Sequence, residues 1–591
     1  MTLLQFTVDA RDPREHVFRL TLELDAPQES ELELFHPTWT PGSYLIREHQ
    51  RHLGEFTARD AADGATLPWK KSAKNRFAIH LRPGTQRVRV EYVVYAHELS
   101  VRTAHFTAEH AFWNGVSLFL WPVHQDHASA AIDVLLPDGW QLWCPLPASR
   151  HGDRIRLHAE NHDALVDAPV LASAAAKVVE FEVMGRTHRF VFDGLESLPP
   201  PPNLAADTKA VIEHAARVFD VQELPYARYD FLTLMSDGPR GGLEHADCSV
   251  LLASRTALAQ GKGYREFLGL VAHEHFHVFN VKRMRPAELW QLDYERENHT
   301  RLLWVAEGFT AYYDDLLCRR AGVLSGERYL QIVADNISDA HRTPGRLVHP
   351  LAESSYDAWI KFYRPDEDIR NSSQSYYVNG ALAAMCLDLM IRGATRSQRS
   401  LDDAMACLWR RTWLQGRGFT HADVVEALSF AMGSDLAEVV TRLVEGPFDP
   451  DFASVLASAG LSLKAPPAAA DAVPQLGLEL RPGSTVIASV RRGDCAARAA
   501  LAAGDEVLAL RGLRVSAGTW DDTLRAVTDG TPIPFLIARQ GAIRELRVSP
   551  DEPASRPAYK IELDPNATAE QTAVRRAWLG DVSVAPASRT P

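Results

Sequence analysis

The strongest chemical signal in this chain is His273-Glu274-His275-Phe276-His277, two histidines four residues apart with a glutamate directly after the first. The surrounding stretch, Tyr264 to Arg283, is apolar at Phe267, Leu270, Val271, Phe276 and Phe279, which predicts a buried helix. On a helix, residues four apart stand one turn above each other, so His273 and His277 can present imidazole nitrogens to one metal ion. Glu274 then sits beside the metal, placed to take a proton from its water. Two imidazoles leave a tetrahedral zinc one protein ligand short. Glu307 supplies it, from the apolar and aromatic run Trp304 to Tyr313, where an unpaired carboxylate would be costly. Asp314 follows seven residues later on the same helical face, either to orient a ligand imidazole or as an ordinary surface acid. His275 points elsewhere and reads as a packing residue.

The elements that must hold these groups fall into an α+β, multidomain pattern. Residues 1–198 alternate in period two, as in Phe18 to Leu24 and Val88 to Val94, which predicts a β-rich, sandwich-like N-terminal domain ending near Pro199-Pro200-Pro201-Pro202. Residues 203–463 read as mostly helical. The helices expected are Thr208 to Val218, the His273 helix, Leu302 to Arg320, Ser325 to His341 with Ser325 as N-cap, and Tyr377 to Arg392. A strand is expected at Tyr229 to Met235. Residues 465–470 are a linker by composition. In residues 474–550, the segments Leu476 to Leu480, Ser484 to Val490, Gly504 to Gly512 and Trp520 to Thr528 resemble a PDZ domain. Leu476-Gly477-Leu478 would then be its carboxylate-binding loop. Residues 551–591 form a tail with a short helix from Ala569 to Leu579, expected to pack back through Trp578.

The runs His273 to Arg283, Trp304 to Tyr313 and Gly241-Gly242-Leu243-Glu244-His245 resemble the glycyl aminopeptidase family of gluzincin metallopeptidases. Phe35 to Tyr44 and Arg576 to Gly580 extend the resemblance over nearly the whole chain. It implies a thermolysin-like, mainly helical catalytic domain and one zinc ion per chain, held by His273, His277 and Glu307, with Glu274 as general base. It also implies that Gly241, Gly242 and Glu244 form a strand edge that holds the substrate's free α-amino group. Tyr377 would be the donor to the oxyanion, with Tyr376 as the off-by-one alternative. The activity implied is aminopeptidase action on peptides with a free N-terminus, Gly and Ala first. An endopeptidase whose PDZ-like domain recruits protein C-termini, and a non-catalytic peptide-binding scaffold, are the rival readings.

Composition narrows the partners. A hydrophobic content of 46% and a charged content of 24% describe globular protein, and 591 residues are too many for one core. The net charge of -13 argues against nucleic acid as a partner and offers no basic patch for acidic membranes. No segment reaches the roughly 18 apolar residues of a membrane span. The first residues lack a basic and apolar leader pattern, and the six cysteines are scattered without a CxxC pair, so a cytoplasmic, reducing location is expected. His124 and His127 read as loop or core histidines.

Overall fold

The computed structural model describes residues 3–195, 198–238, 240–258, 261–465, 473–550 and 558–581. These form two compact units, the first made chiefly of residues before 300 and the second chiefly of residues after 324.

In the first unit the period-two alternation becomes paired strands. Val17–Asp25 runs antiparallel to Arg87–Tyr95 with Leu22 opposite Val90, and Phe18, Leu20, Leu22 and Leu24 are all buried. Both belong to a seven-stranded sheet in which Leu3–Asp9 lies parallel to Ser129–Leu135. Two four-stranded sheets accompany it, and the core includes Phe6, Phe18, Trp113 and Trp121. The N-terminal region is therefore β-rich, with three sheets.

A separate five-stranded sheet contains β1 (Lys177–Val183), β2 (Arg186–Asp193), β3 (Arg228–Met235), β4 (Gly241–Glu244) and β5 (Cys248–Ala253), in the order β1-β2-β3-β5-β4. The pairs β2–β3 and β3–β5 are parallel, and β4 is an antiparallel edge strand. The β1–β2 hairpin lies inside the stretch 1–198 expected to form the N-terminal domain, yet it extends this sheet. Parallel pairing of Thr187 to Asp193 with Arg228 to Leu234 is the reason, and it moves the break to before Lys177. One face of the sheet packs Leu232, Leu243 and Val250 against Phe112, Trp143 and Leu171. The other face receives α2 (Lys262–Phe276), which follows α1 (Leu204–Val218) in the chain; Phe267 approaches Phe190 at 6.2 Å and His275 meets the Tyr229 ring edge-on at 5.1 Å.

Helix α2 ends at Phe276, seven residues before the expected Arg283. His277 caps it, still donating its N–H to the His273 carbonyl at 3.3 Å. Tight turns then take over, with Val278 N–H on the His275 carbonyl and Phe279 N–H on the Phe276 carbonyl, both at 3.0 Å. The i, i+4 relation between the two histidines survives, and the turn swings the Asn280 carbonyl under the His277 ring.

The helix expected from Leu302 to Arg320 is interrupted at Glu307, between α3 (Leu303–Ala306) and α4 (Gly308–Arg320). Helix α5 (Gly326–His341) begins at Ser325, whose hydroxyl accepts the Arg328 N–H at 3.1 Å, as its N-cap position predicts. Helix α6 (Val378–Ala394) is buried along most of its length. Helix α7 (Ala569–Leu579) opens with a reciprocal capping box between Thr568 and Gln571. Its Trp578 is 1% exposed, donates its indole N–H to the Tyr312 hydroxyl at 2.9 Å and meets the Tyr329 ring edge-on, so the tail packs back as expected.

Residues 473–550 have their own core of Ile487, Val507, Leu510, Leu524, Phe535 and Ile537, under a four-stranded and a two-stranded sheet. Asn371 clamps this region through its side-chain amide, donating to the Val490 carbonyl at 2.9 Å and accepting from the Arg492 N–H at 3.0 Å. The linker expected at 465–470 lies, apart from Ala465, outside the described residues, as do 551–557 and 582–591 of the tail. All six cysteines are free thiols, and among the described residues no helix is long and apolar enough to cross a membrane.

Candidate metal centre

His273 and His277 stand with ring centroids 4.7 Å apart and planes nearly perpendicular. The Nδ1 of His273 donates to Asp314 Oδ2 at 3.0 Å, and the Nδ1 of His277 donates to the Asn280 carbonyl at 2.8 Å. Each ring thus spends Nδ1 on an orienting acceptor, the arrangement that fixes the tautomer of ligand histidines. Asp314 has the orienting role, not that of a free surface acid. Burial pushes its carboxyl up, and the hydrogen bond from His273 works against that shift. Among the described residues of the first unit, Glu244, Glu274 and His277 form a group that could hold a metal ion, with ligand atoms within 4.8 Å of one another. Two neutral imidazoles and a carboxylate are a donor set that suits zinc and leaves a fourth position open.

His275, on the opposite face of α2, is held by the Tyr226 hydroxyl at 2.7 Å, and Tyr226 also bonds His188 at 2.8 Å. It is the packing residue expected, with a polar anchor.

The edge strand β4 brings the second carboxylate to this helix. Gly242 lies against Glu274 so closely that a Cβ there would overlap the Glu274 carboxylate, which explains the glycine on steric grounds. Two residues on, Glu244 is 4% exposed, and no hydrogen bond or ion pair holds its carboxylate among the described residues. Gly42 closes one side of it. In Thr40-Pro41-Gly42-Ser43, proline is followed by glycine at φ 85°, and the Ser43 N–H bonds the Thr40 carbonyl at 2.9 Å, which makes a type II turn. A Cβ on Gly42 would fall on the Glu244 carboxylate. The sequence announced this turn through its Pro-Gly pair, but not where it would be used.

Asp167 is a second residue that sequence reasoning missed, and nothing local marks it. It accepts hydrogen bonds from His245 Nδ1 at 3.0 Å, from the Ala246 N–H at 2.9 Å and from Lys282 Nζ at 2.7 Å, so it pins the end of β4 to the turn that follows α2. Burial alone would raise its carboxyl, yet Lys282 and His245 hold it well below the usual carboxylate range.

Tyr377 stands at the N-terminus of α6, stacked at 5.3 Å on Phe362 and hydrogen-bonded to Tyr363. Burial, and after it the Glu307 carboxylate, push its phenol well above its ordinary range, so it stays protonated as a donor. Tyr376 is fully buried whereas Tyr377 is partly exposed, which favours Tyr377 of the two.

Residues 266–383 match the M61 glycyl aminopeptidase family, and residues 5–174 match the M61 peptidase N-terminal domain. The first M61 match takes in His273, Glu274, His277, Glu307 and Tyr377; the second takes in Gly42 and Asp167 and stops just before β1. Glu244 and residues 473–550 lie outside both M61 segments. The crystal structure of an aminopeptidase N family protein of Idiomarina loihiensis is similar throughout, with 28% identity and a TM-score of 0.89 over 98% of this chain and 100% of that one. An M1 zinc metallopeptidase of Deinococcus radiodurans is remotely similar, at 14% identity and a TM-score of 0.46 over 76% of this chain and 94% of that one. No curated protein matches the chain.

Proposed function

We propose that this protein is a zinc-dependent aminopeptidase that removes one small residue, Gly or Ala, from the free N-terminus of peptides. The observation that carries the reading is Glu244, a buried carboxylate held by no partner among the described residues, with a ligand atom within 4.8 Å of those of Glu274 and His277. Glu244 is a largely buried carboxylate with no cation partner among the described residues, and a substrate α-ammonium is the cation that would complete it. Anchored there, a peptide can place only its first carbonyl at the reacting centre, so cleavage stops after one residue.

His273, His277 and Glu307 are the proposed zinc ligands. The ion supplies Lewis acidity that polarises the scissile carbonyl and acidifies water. Glu274 takes the proton of the attacking water and delivers it to the leaving amine. Tyr377, kept protonated, donates a hydrogen bond to the oxyanion. Asp314 and the Asn280 carbonyl hold the imidazoles in their ligand tautomer. We read residues 473–550 as PDZ-like; the Asn371 clamp favours a brace over a recruiter of protein C-termini.

The test is hydrolysis of glycyl and alanyl p-nitroanilides beside an N-acetylated peptide, with chelator and with zinc restored. Chelator-sensitive release from the free-amine substrates, lost in Glu244→Gln, is expected. Cleavage of the N-acetylated peptide at an internal bond would replace this reading with an endopeptidase, and absence of all turnover with zinc bound would replace it with a scaffold.

A further inference from the structure

Beside Glu244 lies a cavity of about 30 Å³, room for little more than one or two water-sized groups. One wall is the Trp39–Gly42 turn of the N-terminal region; the other is Val281, Leu289 and Leu292, from the chain that follows α2. The turn cannot yield easily. Its Thr38 N–H donates to the Tyr294 carbonyl at 2.8 Å, the Trp39 indole donates to the Asp293 carbonyl at 2.8 Å, and the Trp39 ring stacks on Tyr294 at 6.1 Å. Leu289 on the facing wall is buried. Lys282 and Arg285 add two cationic side chains to the lining.

We infer that this cavity receives the side chain of the residue being released, and that Leu289 and Leu292, closing against the Trp39–Gly42 turn, set the size limit of the substrate. The inference rests on the aminopeptidase reading, because the α-ammonium must sit on Glu244 for a side chain two covalent bonds away to reach this space. Hydrogen and methyl fit; branched chains need volume that the pinned turn does not release. Lysyl and arginyl substrates are disfavoured in addition by like charge from Arg285, Lys282 being neutralised by Asp167.

The test compares kcat/KM for glycyl, alanyl and leucyl p-nitroanilides on the full-length zinc protein and on two variants of opposite sense. Leu292→Ala opens the cavity and is expected to raise the leucyl-to-alanyl ratio about tenfold or more, since each methylene in an apolar pocket is worth roughly 10- to 200-fold. Leu292→Phe fills it and is expected to lower the alanyl-to-glycyl ratio by about tenfold. A general loss of stability would not move the two ratios in opposite senses, and either variant alone is decisive if the other fails to fold. No hydrolysis of any free-amine anilide by the unmodified protein defeats the aminopeptidase reading itself. Hydrolysis by the unmodified protein, with both ratios within twofold of it in folded, zinc-loaded variants, overturns the cavity assignment and leaves that reading standing.

Discussion

Replacing Asp167 by Asn keeps the shape of the side chain and removes its charge. Lys282, whose side chain is 9% exposed, then loses the counter-ion 2.7 Å away, and His245 loses a charged acceptor. Breaking a buried ion pair by neutralising one partner costs about 3–5 kcal/mol; with Asp167 itself 20% exposed, solvent screening reduces this to about 2–3 kcal/mol. At roughly 2–4 °C per kcal/mol for large domains, the melting transition should fall by about 4–12 °C. The loss depends on pH with a definite sign. Because the folded protein holds Asp167 well below the usual range, its contribution is present above the unfolded value of about 3.9 and is lost as pH falls through the lower folded value. The gap between the two proteins is therefore widest near pH 5 to 7 and narrows below about pH 4. Replacing the pair by Leu at 167 and Met at 282 should recover most of the loss, since apolar groups leave no buried charge behind. The Asp167 bonds fall on His245 and Ala246, directly after Glu244, so KM for free-amine substrates should rise more than kcat falls. Differential scanning calorimetry at pH 6 and 4, with steady-state kinetics, reads all of this. A melting point within 2 °C of the unmodified protein at pH 6, together with an unchanged KM, would refute the anchoring role.

Three further outcomes are expected. Glu274→Gln should lower kcat by about 10²- to 10⁴-fold with zinc stoichiometry unchanged; full turnover with bound zinc would remove Glu274 as the base. Tyr377→Phe should lower kcat by about 10²- to 10³-fold with KM little moved; a kcat within threefold would return the role to another donor. Trp578→Ala empties a fully buried site and orphans the Tyr312 contact, so it should cost about 3–5 kcal/mol; an unchanged melting curve would show that α7 does not support the unit it packs on.

Much of the site was legible because its residues are close along the chain. The i, i+4 spacing of His273 and His277 becomes adjacency on any helix, so the pair survives even though α2 stops at Phe276 instead of Arg283. Ser325 and Thr568 cap helices for the same local reason, and the alternation around Phe18 and Val90 set which faces are buried. The interruption at Glu307 was hidden because it is slight: the Glu307 N–H still bonds the Leu303 carbonyl and its carbonyl accepts the Ala311 N–H, so the apolar, aromatic run reads as continuous helix.

By itself, the sequence determined the chemistry available: paired imidazoles, a neighbouring base, a later carboxylate, and glycines before Glu244. The tertiary structure alone decided which distant groups complete it. Asp167 reaches His245 across 78 residues and Lys282 across 115, and the Pro41-Gly42 turn ends against Glu244 some two hundred positions away. Helical and strand periodicity follow from the backbone within a few residues. Meetings of that range follow from how whole sheets pack, as when β2 and β3 pair in parallel, and no spacing in the sequence records that register.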